Sequence, residues 1–393
     1  MLETAKPAAS NRNPPVSSND MPGDMPGWLV RFRAWRATVV QNPRFRSLAS
    51  RMPLLRSIAN RRAEALFSIT SGFVQSQVLY ACLETGLLDL LSRGPQREDK
   101  AAAQLHIPSG NFAHLVQSAN ALGILHRSGD GWLTLADAGA VVASDPGLAA
   151  MIRHHAAFYR DLTDPTALLR GEAGETAMSR LWSYAGAERD PVSARQAQEY
   201  SAVMSASQEM LANEILDAVD LGRVRGLLDV GGGEGVFASV AAQRHKDLRL
   251  GVFDLPPVAD RARERFSSGT LAGRIECHGG SFFSDPLPQG YDTMSLVRVC
   301  FDHEDHAVVR LMTGIRKALP ADGQLVIAEP MAGNSSGEKL STAYFAFYFL
   351  AMGSGRCRSA QQIIQLAEKA GFTRFEQRKC RTPMLVNVVV ARP

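Results

Sequence analysis

The chain has 393 residues, of which 45% are hydrophobic, and a formal net charge of +4 at neutral pH. This length exceeds that of a typical domain and supplies a large buried core, so we expect two folded domains and a tail. The five scattered cysteines form neither a CxxC pair nor a Cys/His ligand spacing, which argues against disulfides and structural zinc and predicts a reducing cytoplasm. With no unbroken run of about 18 apolar residues and no signal-peptide pattern, we expect neither a spanning helix nor a leader.

The N-terminal 62 residues differ in composition from the rest of the chain. Residues 1–27 are rich in Pro, Ser, Asn and Gly, which predicts disorder. Trp28–Arg62 carries nine arginines and no acid, interleaved with aromatic and aliphatic residues, and leaves about −5 on the remainder. This pattern fits a broken amphipathic helix on an anionic membrane, and the alternative is a solvated arm on a partner subunit. Pro43 and Pro53 should divide the arm into short helices.

The next segment, residues 63–147, predicts a helical domain. Apolar residues recur at helical spacing over Ala63–Leu91 with a break at Gly86, and their surplus predicts burial in a homodimer. Over Glu98–Leu135 the pattern indicates helix, turn, helix and hairpin, which is a winged helix. Its second helix, Ser109–Leu122, contains no Lys or Arg, so a DNA-binding regulator is the weaker hypothesis and no nucleic-acid partner is expected.

Residues 148–222 indicate a helical connector, and residues 223–393 alternate short apolar runs with helices. The connector contains a cluster of aromatic, histidine and methionine residues: Met151, His154, His155, Phe158, Tyr159, Trp182 and Tyr184. The apolar runs are Gly226–Val230, Leu248–Phe253, Arg274–Cys277, Thr293–Val299, Gln324–Ala328, Thr373–Glu376 and Leu385–Ala391. Such alternation predicts a parallel sheet flanked by helices.

A glycine-rich turn, LLDVGGGEG, follows the first of these strands. Gly231, Gly233 and Gly235 give the spacing G-x-G-x-G, whereas a dinucleotide fingerprint would need glycine where Val236 stands. Such a turn lets a ligand without a pyrophosphate approach the backbone at the carboxyl edge of the sheet. By itself it is equally compatible with a tight connection.

An acid follows the glycine turn by about twenty residues, at the end of the second strand. Asp254 at this position can accept hydrogen bonds from both hydroxyls of a ribose, and the alternative is that it caps the helix from Val258. Arg298 ends a later strand at the same edge, where its charge can reach the periphery of the ligand.

These blocks resemble a known family. The strings LLDVGGGEG, FDLP, GGSFFSDPLP, LVRVCFDHED, ALPADGQLVIAEP and GRCRSAQQIIQLAEKAGF resemble, in order, those of the S-adenosylmethionine-dependent small-molecule O-methyltransferases. The arm, MIRHHAAFYRDLTDP and RVCFDHED are most similar to the carotenoid O-methyltransferases that act on hydroxyneurosporene or demethylspheroidene. The resemblance implies an α/β fold with a class I, Rossmann-like doubly wound sheet, preceded by a helical and winged-helix dimerisation domain.

The family also implies where the methyl donor lies. Its motifs put Gly231 and Gly233 against S-adenosylmethionine, Asp254 on the ribose and Phe282 on the adenine. Ser281 stands where the family has an adenine-contacting acid, and its hydroxyl can still accept a hydrogen bond. The family's cation falls on Arg298.

The catalytic block departs from the family. Its histidine base falls on Phe301, and of the two acids that orient this base one matches Glu329 and the other falls on Cys357. His303 stands two residues on, where the family has tryptophan, so His303 and Glu329 are the candidate proton acceptors.

An aliphatic alcohol as the substrate would explain why Phe301 stands in place of the family's histidine base. Its pKa is roughly ten units above that of histidine, so prior deprotonation would cost on the order of 13 kcal/mol. Such a substrate attacks as the neutral hydroxyl and loses its proton late, with positioning as the main source of acceleration. No metal is required, and no Cys/His/Asp cluster offers one.

The aromatic segment Ser341–Met352 predicts either a core helix or a wall for a long apolar ligand. The expected substrate-binding residues are His155, Phe158, Tyr159, Phe301, Tyr344 and Tyr348.

We therefore expect methyl transfer from S-adenosylmethionine to a hydroxyl of a lipophilic substrate, in a cytoplasmic enzyme that is peripheral on the inner membrane. A hydroxylated acyclic carotenoid is the expected acceptor. The alternatives are a tetrapyrrole C-methyltransferase, a donor-binding scaffold without turnover and the DNA-binding regulator.

Overall fold

A computed structural model describes residues 27–181 and 208–393. The segment predicted to be disordered lies outside the described residues except for Gly27, as do Trp182 and Tyr184. The chain divides into two compact units, Met1–Gln77 and Val78–Pro393.

The first unit is helical. Its helices are α1 (Gly27–Gln41), α2 (Pro43–Arg51) and α3 (Pro53–Glu84), the last of which continues into the second unit. Prolines begin α2 and α3 because a residue without an N–H is tolerated in the first turn, where that donor would have no partner. The predicted division of the arm is confirmed, but α3 is 32 residues long and passes the expected boundary at residue 62.

Part of α3 is long and apolar enough to cross a membrane. The segment Leu55–Glu84 has the length and the mean hydropathy of a membrane-spanning helix, although it contains no unbroken apolar run of that length. Core helices of soluble proteins share this length and hydropathy, so these two properties do not by themselves indicate a membrane span.

The second unit begins with the predicted winged helix. Gly86 adopts φ +77°, which ends α3 and begins the next helix. The elements that follow are α4 (Leu87–Ser92), β1 (Gln96–Arg97), α5 (Glu98–Gln104), α6 (Ser109–Ala121), β2 (Leu125–Arg127), β3 (Trp132–Leu135) and α7 (Asp137–Ser144). The strands form an antiparallel sheet in the order β1-β3-β2.

Four helical segments follow in the described part of the connector. They are α8 (Pro146–Asp161), α9 (Pro165–Arg170), α10 (Ala177–Leu181) and α11, of which residues 208–218 are described. The carboxylates of Asp145 and Asp164 accept backbone N–H bonds at the starts of α8 and α9, and proline follows each of these caps.

A seven-stranded sheet carries the rest of the unit, in the order β6-β5-β4-β7-β8-β10-β9. Its strands are β4 (Gly226–Val230), β5 (Arg249–Asp254), β6 (Ile275–Gly279), β7 (Thr293–Val297), β8 (Gln324–Glu329), β9 (Arg374–Arg378) and β10 (Asn387–Arg392). The helices among them are α12 (Val236–Arg244), α13 (Pro256–Arg265), α14 (Asp305–Ala318), α15 (Ser336–Met352) and α16 (Ala360–Lys369).

The doubly wound α/β sheet predicted from the sequence is confirmed, with one correction. Strand β10 runs antiparallel to both β8 and β9, so the sheet is not wholly parallel. The short connection from β9 to β10 contains no crossover helix, and only antiparallel neighbours can be joined in this way.

The sheet is buried on both faces, as expected for strands covered by helices. Leu228 and Val230 belong to the apolar cluster on one face, and Leu227 belongs to the cluster on the other, as the two-residue period of a strand requires. The order of the strands reverses between β4 and β7, and the carboxyl edge at this switch point is where such sheets bind ligands.

Candidate active site

The glycine turn after β4 has three left-handed residues. Gly231, Gly233 and Gly235 adopt φ values of +70°, +57° and +77°. A Cβ would lie 2.8 Å from a methyl of Val299 at Gly231 and 2.7 Å from the Phe266 ring at Gly235. At Gly233 it would meet nothing within 4 Å. The outer glycines are therefore fixed by close packing, whereas the backbone at Gly233 is open to a ligand.

Asp229, in the strand before this turn, packs against the turn backbone at Gly232. Its fully buried carboxylate accepts a hydrogen bond of 2.6 Å from the Ser295 hydroxyl. A Cβ at Gly232 would lie 2.6 Å from the other carboxylate oxygen. Burial raises the pKa of Asp229 to about 7. Sequence reasoning missed this residue, because nothing in the pattern indicates that a strand aspartate is bonded from a neighbouring strand.

Asp254 lies beside the turn, at the end of β5. Its two oxygens accept backbone N–H bonds of 2.7 Å from Gly233 and from Leu255. A carboxylate has about four acceptor positions, so two remain for other donors. Burial raises its pKa, while these bonds and the charge of Arg261 act in the opposite direction. Since α13 has no side-chain cap, the capping alternative lacks support.

Aromatic rings form the next part of this edge. The centroid of the Phe282 ring lies 4.7 Å from that of Phe283, and both rings pack edge-on against His303 at 5.7 and 5.3 Å. Phe282 is also 3.7 Å from where a Cβ of Gly231 would be. The Ser281 hydroxyl accepts the N–H of Phe283 at 3.3 Å. Phe282 and Ser281 therefore lie near the turn, as the predicted adenine contacts require.

His303 belongs to this aromatic group. Its side chain is 9% exposed, and burial lowers its pKa to about 4, so the ring is neutral near pH 7. Cys300–Asp302 forms a 3-10 turn instead of a strand, which removes the alternation that would have put His303 on the same side as Phe301.

Helices α8 and α15 bring together the residues expected to bind substrate. The Phe158 ring lies 5.8 Å from Tyr344 and 5.4 Å from Tyr348. His155 contacts Tyr159 and Tyr344, with ring centroids 5.7 and 5.6 Å apart. Phe301 packs in the same cluster, 5.2 Å from the ring of Phe349.

Two histidine–tyrosine pairs join these helices. Nε2 of His155 lies 2.8 Å from the Tyr344 hydroxyl, and Nε2 of His154 lies 2.9 Å from the Tyr348 hydroxyl. The sequence indicated the cluster that contains His154 but did not assign it to the site. Two adjacent histidines on one predicted helix, and two tyrosines four residues apart on another, could have indicated that the helices are joined by such pairs.

Arg298 has an unusual backbone at the end of β7. It adopts φ +58°, and its N–H donates to the carbonyl of Ala328 at 2.8 Å. The guanidinium carbon lies 5.7 Å from the centroid of the Phe301 ring, and its charge lowers the pKa of Asp302 against the larger effect of burial. A contact between Arg298 and the donor stays a prediction.

Glu329 lies behind Phe301. It is fully buried, and Oε2 accepts the backbone N–H of Phe301 at 3.0 Å. Among the described residues Oε1 has no hydrogen-bond partner, and burial raises the pKa of this carboxyl to about 7. Burial also raises the pKa of the Cys357 thiol to about 11. The thiol is therefore neutral near pH 7 and does not supply the negative charge of the family's second acid.

Arg358 fixes the catalytic turn, and sequence reasoning gave it no role. Its side chain is 1% exposed and donates to the carbonyls of Cys300 and His303 at 2.8 and 2.7 Å. Nε also donates to the Asp305 carboxylate at 2.8 Å. A buried guanidinium that satisfies two carbonyls and an acid holds the backbone around Phe301 in one conformation. Across residues 27–181 and 208–393, no three His, Cys, Asp or Glu residues are grouped to hold a metal ion.

Comparisons with known proteins agree with this geometry. An O-methyltransferase domain model matches residues 159–373. Demethylspheroidene O-methyltransferase of Cereibacter sphaeroides is 43% identical over 88% of this chain and 92% of its own length. The enzyme of that name from Rhodobacter capsulatus is 38% identical over 99% of this chain and 96% of its own. The structure of human N-acetylserotonin methyltransferase with SAM has a TM-score of 0.70 at 23% identity, covering 84% of this chain and 97% of that one.

A doubly wound sheet with a glycine turn and an acid at its switch point defines a nucleoside-binding α/β enzyme. The chain belongs to the O-methyltransferase family, and it is an S-adenosylmethionine-dependent O-methyltransferase. The open backbone at Gly233, the free acceptor positions of Asp254 and the Phe282 ring fit the ribose and adenine of this donor. When bound, the donor supplies an electrophilic methyl group on its sulfonium.

We expect Asp254→Ala to weaken binding of S-adenosylmethionine by about 1.5–3 kcal/mol, the loss expected for a pair of charge-assisted hydrogen bonds. Isothermal titration calorimetry measures this directly. Asp260→Ala, which removes an exposed acid on α13, is the matched control and should bind the donor as the wild type does. Wild-type affinity in the Asp254 variant would refute the ribose assignment.

Proposed function

We propose that this enzyme methylates a hydroxyl of a hydroxylated acyclic carotenoid. The observation that carries the proposal is the apolar Phe301, which aligns with the family's histidine base and is 4% exposed within an aromatic cluster. An apolar ring at this position suits an aliphatic alcohol, whose proton leaves after the new bond has begun to form. Two relatives that match most of the chain are named for demethylspheroidene.

The surroundings of Phe301 support a long apolar acceptor. Phe158, Tyr348 and Ala351 pack in the same cluster. A half-open pocket of about 560 Å³ lies beside this cluster, lined by α9, the loop after it, α10 and the end of α15. Leu168 and Ala351 belong to both the cavity and the cluster. This volume lies within the range of about 300–1,000 Å³ that is common for small-molecule sites.

Purified enzyme with isotopically labelled donor is expected to methylate a hydroxycarotenoid and to leave a phenol and a chlorin unlabelled. Mass spectrometry of the product should show a methyl ether. Labelling of the chlorin alone would contradict the proposal and favour a tetrapyrrole C-methyltransferase. Donor binding without label in any acceptor would favour a scaffold without turnover.

Restoring the family histidine by Phe301→His should slow methylation of the hydroxycarotenoid. A polar ring in this cluster lacks the second acid of the family, since Cys357 takes that position, and we expect a loss in unfolding free energy of about 1–3 kcal/mol. Phe301→Leu keeps the position apolar and should retain more turnover than Phe301→His. Turnover by the histidine variant above that of wild type would show that a pre-formed base is what the site lacks.

We further propose that the segment Trp28–Arg62 holds the enzyme at an anionic inner membrane, where a carotenoid is dissolved. Trp28, Phe32 and Trp35 recur at i, i+4 and i+7 on one face of α1, and the two tryptophans are 69% and 62% exposed. The nine arginines of this segment are all exposed and face no acid within it. Exposed rings among arginines, in a segment whose sequence contains no acid, suit the interface of an anionic bilayer.

A second surface supports a homodimer. Between Glu64 and Glu84, α3 carries no charged residue. Five of its large apolar side chains are at least 60% exposed: Leu66, Phe67, Ile69, Phe73 and Val74. An exposed apolar patch of this kind on one helix favours burial against a second copy of the chain. All five of these residues follow Arg62, so the patch lies outside the arm.

Deleting residues 1–62 should abolish flotation of the enzyme with phosphatidylglycerol vesicles. Turnover of detergent-solubilised substrate should be unchanged, since the deleted residues lie outside the donor and acceptor sites. Analytical ultracentrifugation should still give a dimeric mass, because the apolar surface of α3 remains. Vesicles of phosphatidylcholine alone are the control for charge, and equal flotation with and without the arm would contradict the membrane proposal.

A further inference from the structure

The pair formed by His155 and Tyr344 has a defined direction of hydrogen bonding. Nδ1 of His155 lies 2.6 Å from the carbonyl oxygen of Met151, and a carbonyl can only accept, so Nδ1 carries a proton. In the neutral ring Nε2 is then an acceptor, and the Tyr344 hydroxyl donates to it at 2.8 Å. The Tyr344 oxygen retains lone pairs that can accept a hydrogen bond from a third group.

The pair lies among the residues expected to contact the acceptor. The Tyr344 ring is 4.9 Å from that of Phe345, which is 6.1 Å from that of Phe301. The guanidinium carbon of Arg298 lies 5.7 Å from the Phe301 ring centroid, and its charge lowers the pKa of Tyr344 against the raising effect of burial. Tyr344 is only partly buried.

We propose that Tyr344 and His155 together accept the proton of the substrate hydroxyl, with the Tyr344 oxygen in contact with that hydroxyl and Nε2 of His155 as the final acceptor. This inference rests on the proposed methylation of a hydroxyl. It assigns proton transfer to a pair that the family's histidine position does not include.

The step balances in atoms and electrons. A lone pair of the hydroxyl oxygen forms the new O–CH3 bond while the methyl–sulfur bond breaks, with its electron pair going to sulfur. The hydroxyl proton moves to the Tyr344 oxygen, and the phenolic proton of Tyr344 moves to Nε2 of His155. The resulting imidazolium keeps its Nδ1–H bond to the Met151 carbonyl and later returns the proton to water.

The groups have the right acidities for such a relay. Burial raises the pKa of Tyr344, so a phenolate is unfavourable and the tyrosine must pass on its proton as it receives another. Burial lowers the pKa of His155, so its Nε2 lone pair is available at neutral pH. A weak base suffices because the methylated oxonium is a strong acid.

The two acceptors expected from the sequence are placed less favourably. Oε2 of Glu329 is bonded to the N–H of Phe301, and the carboxyl is fully buried beneath that turn. The His303 ring packs edge-on against Phe283 and against Phe282, which is the predicted neighbour of the adenine.

Tyr344→Phe and His155→Gln test the pair. Each should lower kcat by roughly 10²- to 10⁴-fold, the usual contribution of a general base, with little change in KM or in the donor affinity measured by calorimetry. Tyr291→Phe is the matched control: it removes another phenolic hydroxyl that pairs with a histidine, His278 at 3.2 Å, and should keep wild-type kcat. Thermal unfolding of each variant shows whether it is folded.

Two further readouts distinguish proton transfer from a structural clamp between α8 and α15. The wild-type kcat should fall with decreasing pH as His155 becomes protonated, at a pH below the usual range of histidine because burial lowers its pKa, and His155→Gln should lack this dependence. The groups that face the pair are His154, Tyr159, Tyr348 and Arg298. Since the pKa of His154 is lowered to about 4, His154→Gln should keep the dependence. Nitrogen-15 NMR should show the neutral His155 ring protonated on Nδ1.

A Tyr344→Phe enzyme within a few fold of wild type, or a pH dependence that persists in His155→Gln, would overturn the proposal. A 10²-fold loss confined to Glu329→Gln would do the same and identify that acid. A wild-type enzyme inactive on hydroxycarotenoid would refute the acceptor assignment alone, and the variants would then be compared on the acceptor that it does methylate.

Discussion

The site depends on one hydrogen bond, from the backbone N–H of Gly233 to the carboxylate of Asp254. This 2.7 Å contact ties the turn after the first strand of the large sheet to the end of the second, at the edge where the strand order reverses. A left-handed glycine is needed to aim the N–H at this partly buried carboxylate. The predicted position of the donor's ribose therefore depends on how two neighbouring strands end.

The acceptor side is organised differently. Arg358 holds the carbonyls around Phe301, and Glu329 holds its N–H, so the turn stays rigid although the residue at its centre carries no reactive group. By the family resemblance, Glu329 matches one of the two supporting acids, Cys357 stands in place of the other, and Phe301 stands in place of the base. Helices α8 and α15 bring titratable groups to the predicted acceptor site.

The spacing of Phe301 and His303 in the sequence did not predict on which side of the chain each ring lies. Both lie in one short block of the sequence, and a strand would have put them on one face. The chain instead leaves β7 through Arg298 at φ +58° and turns, so the His303 ring joins Phe282 and Phe283. The sequence pattern cannot predict a left-handed conformation at a non-glycine residue, because the surrounding tertiary structure enforces that conformation.

The sequence by itself determined the order of the strands' apolar runs, the winged helix, the glycine turn and Asp254, because period, turn chemistry and motif spacing are local properties. It also indicated the aromatic residues of α8 and α15 that pack together at the predicted acceptor site. Tertiary structure alone decided that β10 runs antiparallel, that Ser295 donates to Asp229 across strands and that the buried Arg358 binds a turn more than 50 positions before it in the chain. The same holds for the pairing of His155 with Tyr344, 189 positions apart, since such contacts are fixed by packing and leave no periodic trace.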